Sequence, residues 1–186
     1  MNPSVQSLLS FLPGNSFVMG RGVSRQEPPV ESGSSCSLCG ESTHQAVWCW
    51  GSGSDVVFLV ESDAFPGSKE EQLLSKICEA MKLNPGDVAV LARSPLDRDA
   101  GSTLCSSFQW RELKVRAPKV LIALGDSMGK SMAGSLPAGA ALRGQIHVRH
   151  DLNLLVTEDL PGMLANPNLK KQAWEDLKLA LKLIRF

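Results

Sequence analysis

From Asp55 onward the chain alternates short apolar runs with amphipathic stretches, and that alternation predicts the fold class. Val56-Val57-Phe58-Leu59-Val60 is a run of β-branched and apolar residues, the pattern of a strand covered on both faces. Ser68 followed by Glu71 is a capping box, and Leu73, Leu74, Ile77, Cys78 and Met81 recur on one helical face, which predicts a helix over 69–82. Asn84-Pro85-Gly86 ends it. A second strand is expected at 87–91 and a second helix from Leu104 to Arg116, closed by Pro118. Residues 119–124 (Lys-Val-Leu-Ile-Ala-Leu) give the clearest strand; Gly125 then turns the chain into a short helix expected to be capped by Asp126. A fourth strand is expected at Leu152–Val156. Leu169, Ala173, Trp174, Leu177, Ala180, Leu181 and Ile184 stripe a closing amphipathic helix. Strands and helices in strict alternation predict an α/β domain, a three-layer αβα arrangement around a short parallel sheet.

Ahead of this domain, expected to span residues 55–186, residues 1–54 hold twelve Ser, seven Gly and four Pro and lack sustained periodicity. They read as largely irregular. Within them Val5, Leu8, Leu9 and Leu12 fall at i, i+3, i+4, i+7, so residues 4–12 form either one apolar helix face, suited to docking on a partner protein, or a frayed apolar tail.

Nineteen Lys and Arg balance nineteen Asp and Glu. That balance excludes a protein that coats nucleic acid by bulk charge, although a local patch remains compatible with it. No window approaches ~18 uninterrupted apolar residues and no basic segment precedes a signal-type stretch, so no membrane is expected and the chain reads as soluble and cytoplasmic. Five cysteines, an odd number with one C-x-x-C pair, fit metal ligation or buried thiols better than a disulfide framework. Cys36 and Cys39 have the spacing of a metal half-site, for which Cys49, His44 and Cys105 are candidate completing ligands, while Cys78 lies on a core stripe. Residues 125–131 (Gly-Asp-Ser-Met-Gly-Lys-Ser) follow a strand and open a helix, but three residues separate the glycines where a phosphate loop needs four. The competing reading is a tight turn in which Gly129 lets the helix approach the sheet. No Ser or Cys beside His147 or His150 suggests a hydrolytic triad.

The order of motifs in the second half resembles a known family. Residues 120–125 (Val-Leu-Ile-Ala-Leu-Gly), then Leu142-Arg143-Gly144 with His147, then Asn166-Pro167 and 173–177 (Ala-Trp-Glu-Asp-Leu) look like the C-terminal half of the iron–sulfur uracil-DNA glycosylases. Cys36, Cys39 and Cys105 match three cluster cysteines of that family, so the resemblance covers about residues 36–186. It implies a glycosylase-like fold, with Glu61 retained from the first motif to position water and Phe65 standing for the aromatic that stacks on uracil. It also places the His that serves the leaving base on Asp159. A carboxylate there would repel a departing uracil anion, where catalysis needs a donor or a positive charge. The fourth cluster cysteine falls on Ala92, and a cluster with three thiolates needs a substitute ligand or is lost.

A second resemblance is to the psi subunits of the bacterial replicative polymerase (DNA polymerase III) holoenzyme, carried by residues 60–66 (Val-Glu-Ser-Asp-Ala-Phe-Pro), a following helix and the Asn-Pro before a Trp-bearing closing helix. It implies a glycosylase-like fold without glycosylase chemistry and an N-terminal peptide that contacts a clamp loader. Together these lead to one expectation: a catalytically degenerate glycosylase-like domain acting as a binding or scaffold module in DNA replication or repair. It is expected to be non-enzymatic and without cofactor, with a clamp-loader-like protein partner and at most weak contact with DNA. The alternative is an active uracil-DNA glycosylase using Glu61, Asp159 and Phe65, with an iron–sulfur cluster on Cys36, Cys39 and Cys105. An open pocket at the C-terminal ends of the first and fourth strands is the feature expected to separate them.

Overall fold

A computed structural model describes residues 47–50, 53–61, 67–93, 113–134 and 141–184. Its elements in chain order are β1 (Val47–Trp50), β2 (Val56–Glu61), α1 (Lys69–Met81), a 3-10 turn (Pro85–Asp87), β3 (Val88–Arg93), β4 (Val120–Leu124), α2 (Asp126–Ala133), β5 (Ile146–Arg149), β6 (Leu152–Thr157), α3 (Leu160–Ala165) and α4 (Pro167–Ile184). Residues 113–116 are also helical, within the second helix expected from the sequence. Val5, Leu8, Leu9, Leu12, Cys36, Cys39, His44, Phe65 and Cys105 lie outside the described residues.

The protein is a mixed α/β fold built on a six-stranded sheet of order β1-β3-β2-β4-β6-β5. The four inner strands are parallel, with Val56 beside both Val88 and Val120, and Leu121 beside Leu154. The two edges correct the purely parallel expectation. β1 pairs antiparallel with β3, and β5 pairs antiparallel with β6. The β5–β6 connection is a tight turn through His150 (φ 48) and Asp151 (φ 67), both left-handed, as a two-residue hairpin with the right twist requires. β1 also shows that the sheet begins ahead of Asp55, inside the stretch expected to be irregular.

Side chains alternate across the sheet and define two apolar layers. Val56, Phe58 and Val60 pack with Leu74, Ile77 and Met81 of α1, Met163 of α3, and Ala173, Leu177 and Ala180 of α4. On the opposite face Val57, Leu59, Leu121 and Val156 pack with Leu113 and with Met128, Met132 and Ala133 of α2. β2 and β4 are buried along their whole apolar length, which is why their sequences show no polar alternation.

The caps follow local chemistry. The Ser68 hydroxyl accepts from the Glu71 backbone N–H at 3.1 Å, while Glu71 reaches back to the Gly67 N–H, one residue earlier than the expected partner. At α2 the expectation is corrected. Gly125, at φ 101, is the N-cap, and Asp126 is the first helical residue, its carboxylate turned to Arg143 instead of the helix amides. A Cβ at Gly129 would run into Val156, so this glycine lets α2 lie directly on β6.

Candidate functional site

In a parallel sheet the strand order determines where a crevice opens. The chain leaves β2 toward β3 on one side and later fills β4 and β6 on the other, so the topology switches direction between β2 and β4. At the C-terminal ends of these strands lies a cleft of about 390 Å³ lined by Glu61, Leu124, Gly125, Asp126, Ser127, Arg143, Asp159 and Pro161. Each lining group comes from a strand end or the turn after it: Glu61 ends β2, Leu124 ends β4, and Asp159 follows β6 by two residues. The sequence-derived candidates Glu61 and Asp159 thus meet in one cleft, at the place where an open pocket was the discriminating feature.

Asp159 has a structural task there. Its Oδ1 accepts from the Gly162 backbone N–H at 2.5 Å and caps α3, whose second position is Pro161. Gly125 faces it closely, since a Cβ on Gly125 would stand 3.1 Å from the Asp159 Cβ. The β4–α2 turn and the β6–α3 turn therefore touch, and the Gly125 N–H donates to the Thr157 carbonyl at 3.0 Å.

Among the described lining residues the cation is Arg143. Its Nε donates to Asp126 Oδ1 at 2.6 Å and its Nη1 pairs with Glu158, a residue only 6% exposed. Burial works against the guanidinium's charge, but the hydrogen bonds and charges of Asp126 and Glu158 outweigh it and raise its pKa. The loop that delivers Arg143 is held at both ends. His147 Nε2 donates to the Leu142 carbonyl at 2.9 Å, and Gly144, at φ 74, passes beside Asp176 of α4. In the sequence Arg143 stands only within the Leu142-Arg143-Gly144 motif and carries no sign of a site residue. Its partners lie 17 and 15 residues away along the chain, and only the meeting of the turns after β4 and β6 brings them together.

Chemically this is a concave site in which, among the described residues, one arginine is embedded among carboxylates. It offers hydrogen-bond donors from Arg143 and acceptors from Glu61 and Asp159. Among the described residues there is no group of three His, Cys, Asp or Glu side chains able to hold a metal ion, and no helix is long and apolar enough to cross a membrane. The shortened loop at 125–131 carries the tight-turn geometry: Gly125 bends the chain at positive φ and Gly129 packs on β6. Neither protein-family models nor curated proteins give a match to this chain.

Proposed function

We propose that this chain is a catalytically degenerate uracil-DNA glycosylase-like domain that serves as a binding or scaffold module in DNA replication or repair, in the manner of the psi subunits it resembles. The carrying observation is Asp159. At the position where the resemblance puts the His that serves the leaving base, a carboxylate stands in the cleft and is committed to capping α3. With Asp126 also lining the cleft, carboxylates stand where a uracil anion would have to develop, the reverse of what base release needs. The mixed sheet with helices on both faces and a cleft at the strand ends supports a glycosylase-like fold.

The partner in this reading is a clamp-loader-like or repair protein, contacted by residues 4–12 through Val5, Leu8, Leu9 and Leu12; DNA contact is weak. No iron–sulfur cluster is held, since Ala92 replaces the fourth thiolate of the resemblance. Anaerobic purification with iron and sulfide analysis checks this, and a brown protein with near-stoichiometric iron would contradict it. Affinity purification from the native host tests the function. Replication or repair proteins should co-purify with the full chain and be lost on deleting residues 1–14, with the thermal midpoint unchanged. A large fall in that midpoint would mean that the segment packs on the domain itself.

One observation favours the other reading, an active uracil-DNA glycosylase. The cleft at the ends of β2 and β6 is open and is lined by Glu61, the residue expected to position water.

A further inference from the structure

The ligand class of the cleft follows from how Arg143 is held. An arginine at the bottom of a crevice ordinarily reads as a phosphate or carboxylate site, because its fork of N–H donors matches those anions. Here the fork is already engaged. Asp126 takes Nε at 2.6 Å and the buried Glu158 takes Nη1, so two carboxylates offset one guanidinium. Asp159 adds a further carboxylate to the cleft walls. An entering phosphate would meet this excess of negative charge in a partly dehydrated crevice, where like charges repel more strongly than in water. Yet a third of the Arg143 side chain stays exposed, and a guanidinium has five N–H donors, of which these two ion pairs use two.

We propose that Asp126 sets the ligand class of the cleft: paired to Arg143, it bars phosphate and phosphodiester groups and leaves the site to an uncharged ligand that offers an oxygen to the remaining guanidinium N–H groups. The inference rests on the reading of this domain as a non-catalytic module, and it explains how a domain working near DNA avoids filling the cleft with backbone phosphate. Asp126 is the informative residue because half of its side chain is exposed and its removal exposes the guanidinium without opening the core. It is a specificity-determining residue that acts through Arg143.

The test uses the full-length protein. Inorganic phosphate is titrated calorimetrically, and a short single-stranded oligonucleotide by fluorescence anisotropy, into wild type, Asp126→Asn and Asp126→Asn/Arg143→Gln. Wild type should bind both weakly; Asp126→Asn should bind phosphate and the oligonucleotide about tenfold more tightly, and the double variant should lose that gain. If Asp126→Asn does not fold, Glu158→Gln frees the guanidinium from its other side and carries the same expectation. Failure of the single variant to gain, or a gain that survives Arg143→Gln, overturns the proposal. So does tight phosphate binding by wild type that Arg143→Gln abolishes. For the uncharged ligand the probe is N-methylacetamide, which should shift the Arg143 Nη–H resonances of wild type; no shift at saturating amide overturns that half. Uracil release by wild type would instead overturn the functional reading and leave the phosphate result standing, so the two failures are distinguishable.

Discussion

The Thr157 hydroxyl at the end of β6 donates to Asp176 Oδ2 on α4 at 2.7 Å, tying the closing helix to the strand that leads into the cleft. Thr157 is fully buried and so has no water to turn to. Thr157→Val keeps the shape and removes the donor, leaving the Asp176 carboxylate partly buried with one partner fewer. A loss of about 1–3 kcal/mol in denaturant unfolding is expected. An unchanged midpoint would mean that the bond contributes nothing net.

Asp176 itself makes a pH prediction. Burial raises its carboxyl pKa and Glu175 adds to the rise, while the Thr157 hydrogen bond and the charge of Arg143 pull the other way; the net shift is upward. The native state therefore holds this proton more tightly than the unfolded chain. Its stabilising contribution is full below the ordinary carboxylate pKa and is lost as pH rises through the raised one. Asp176→Asn, which keeps an acceptor for Thr157, should melt at or above wild type at pH 7, and the gap should close toward pH 3. A lower melting temperature at pH 7 would show that attraction to Arg143 outweighs burial.

Gly129 tests the contact between α2 and β6. Ala is the better helix former, yet its methyl would collide with Val156, so Gly129→Ala should destabilise by about 1–3 kcal/mol. Adding Val156→Ala should make the pair of substitutions less costly than the sum of the two single ones. Strict additivity in denaturant melts would place the strain elsewhere.

Cys78 sits buried in α1, and burial first, with the neighbouring Glu79 second, pushes its thiol up to about 12. Since the thiolate is the reactive form, iodoacetamide should leave Cys78 unlabelled in the native protein and modify it only in denaturant. Native labelling at a rate comparable to the unfolded chain would mean that α1 opens readily.

Much of the fold is readable in the sequence because its signals are local. The runs of β2 and β4, the Ser68 cap and the stripe of α4 depend only on neighbours within a few residues. What escapes is set by distant partners. β1 is four residues in a Ser- and Gly-rich stretch and is a strand only because β3 lies beside it, with Val47 opposite Ala92. Asp126 looks like a cap by sequence, but Gly125 takes that place and Arg143 takes the carboxylate. Glu61 and Asp159, which only the family resemblance marks in the sequence, share a cleft. The capping role of Asp159 has a local signal, an Asp two residues before a proline.

That capping role gives a further prediction. Asp159→Ala removes the acceptor for the Gly162 N–H and should cost about 0.5–2 kcal/mol, whereas Asp159→Asn should be nearly neutral. Asp159→His should not confer base excision, because only Glu61 of the family's first motif is retained and a single imidazole does not restore the rest. Uracil release by that variant alone would show that one substitution separates the domain from catalysis.

The central claim is that the domain does not excise uracil. It is tested most directly by incubating the purified full chain with uracil-containing single-stranded and mismatched DNA and measuring free uracil and abasic sites over time. The account predicts no base release above the protein-free control. Multiple turnovers, at a rate comparable to an active uracil-DNA glycosylase and lost in Glu61→Gln, would contradict it and establish the enzyme instead.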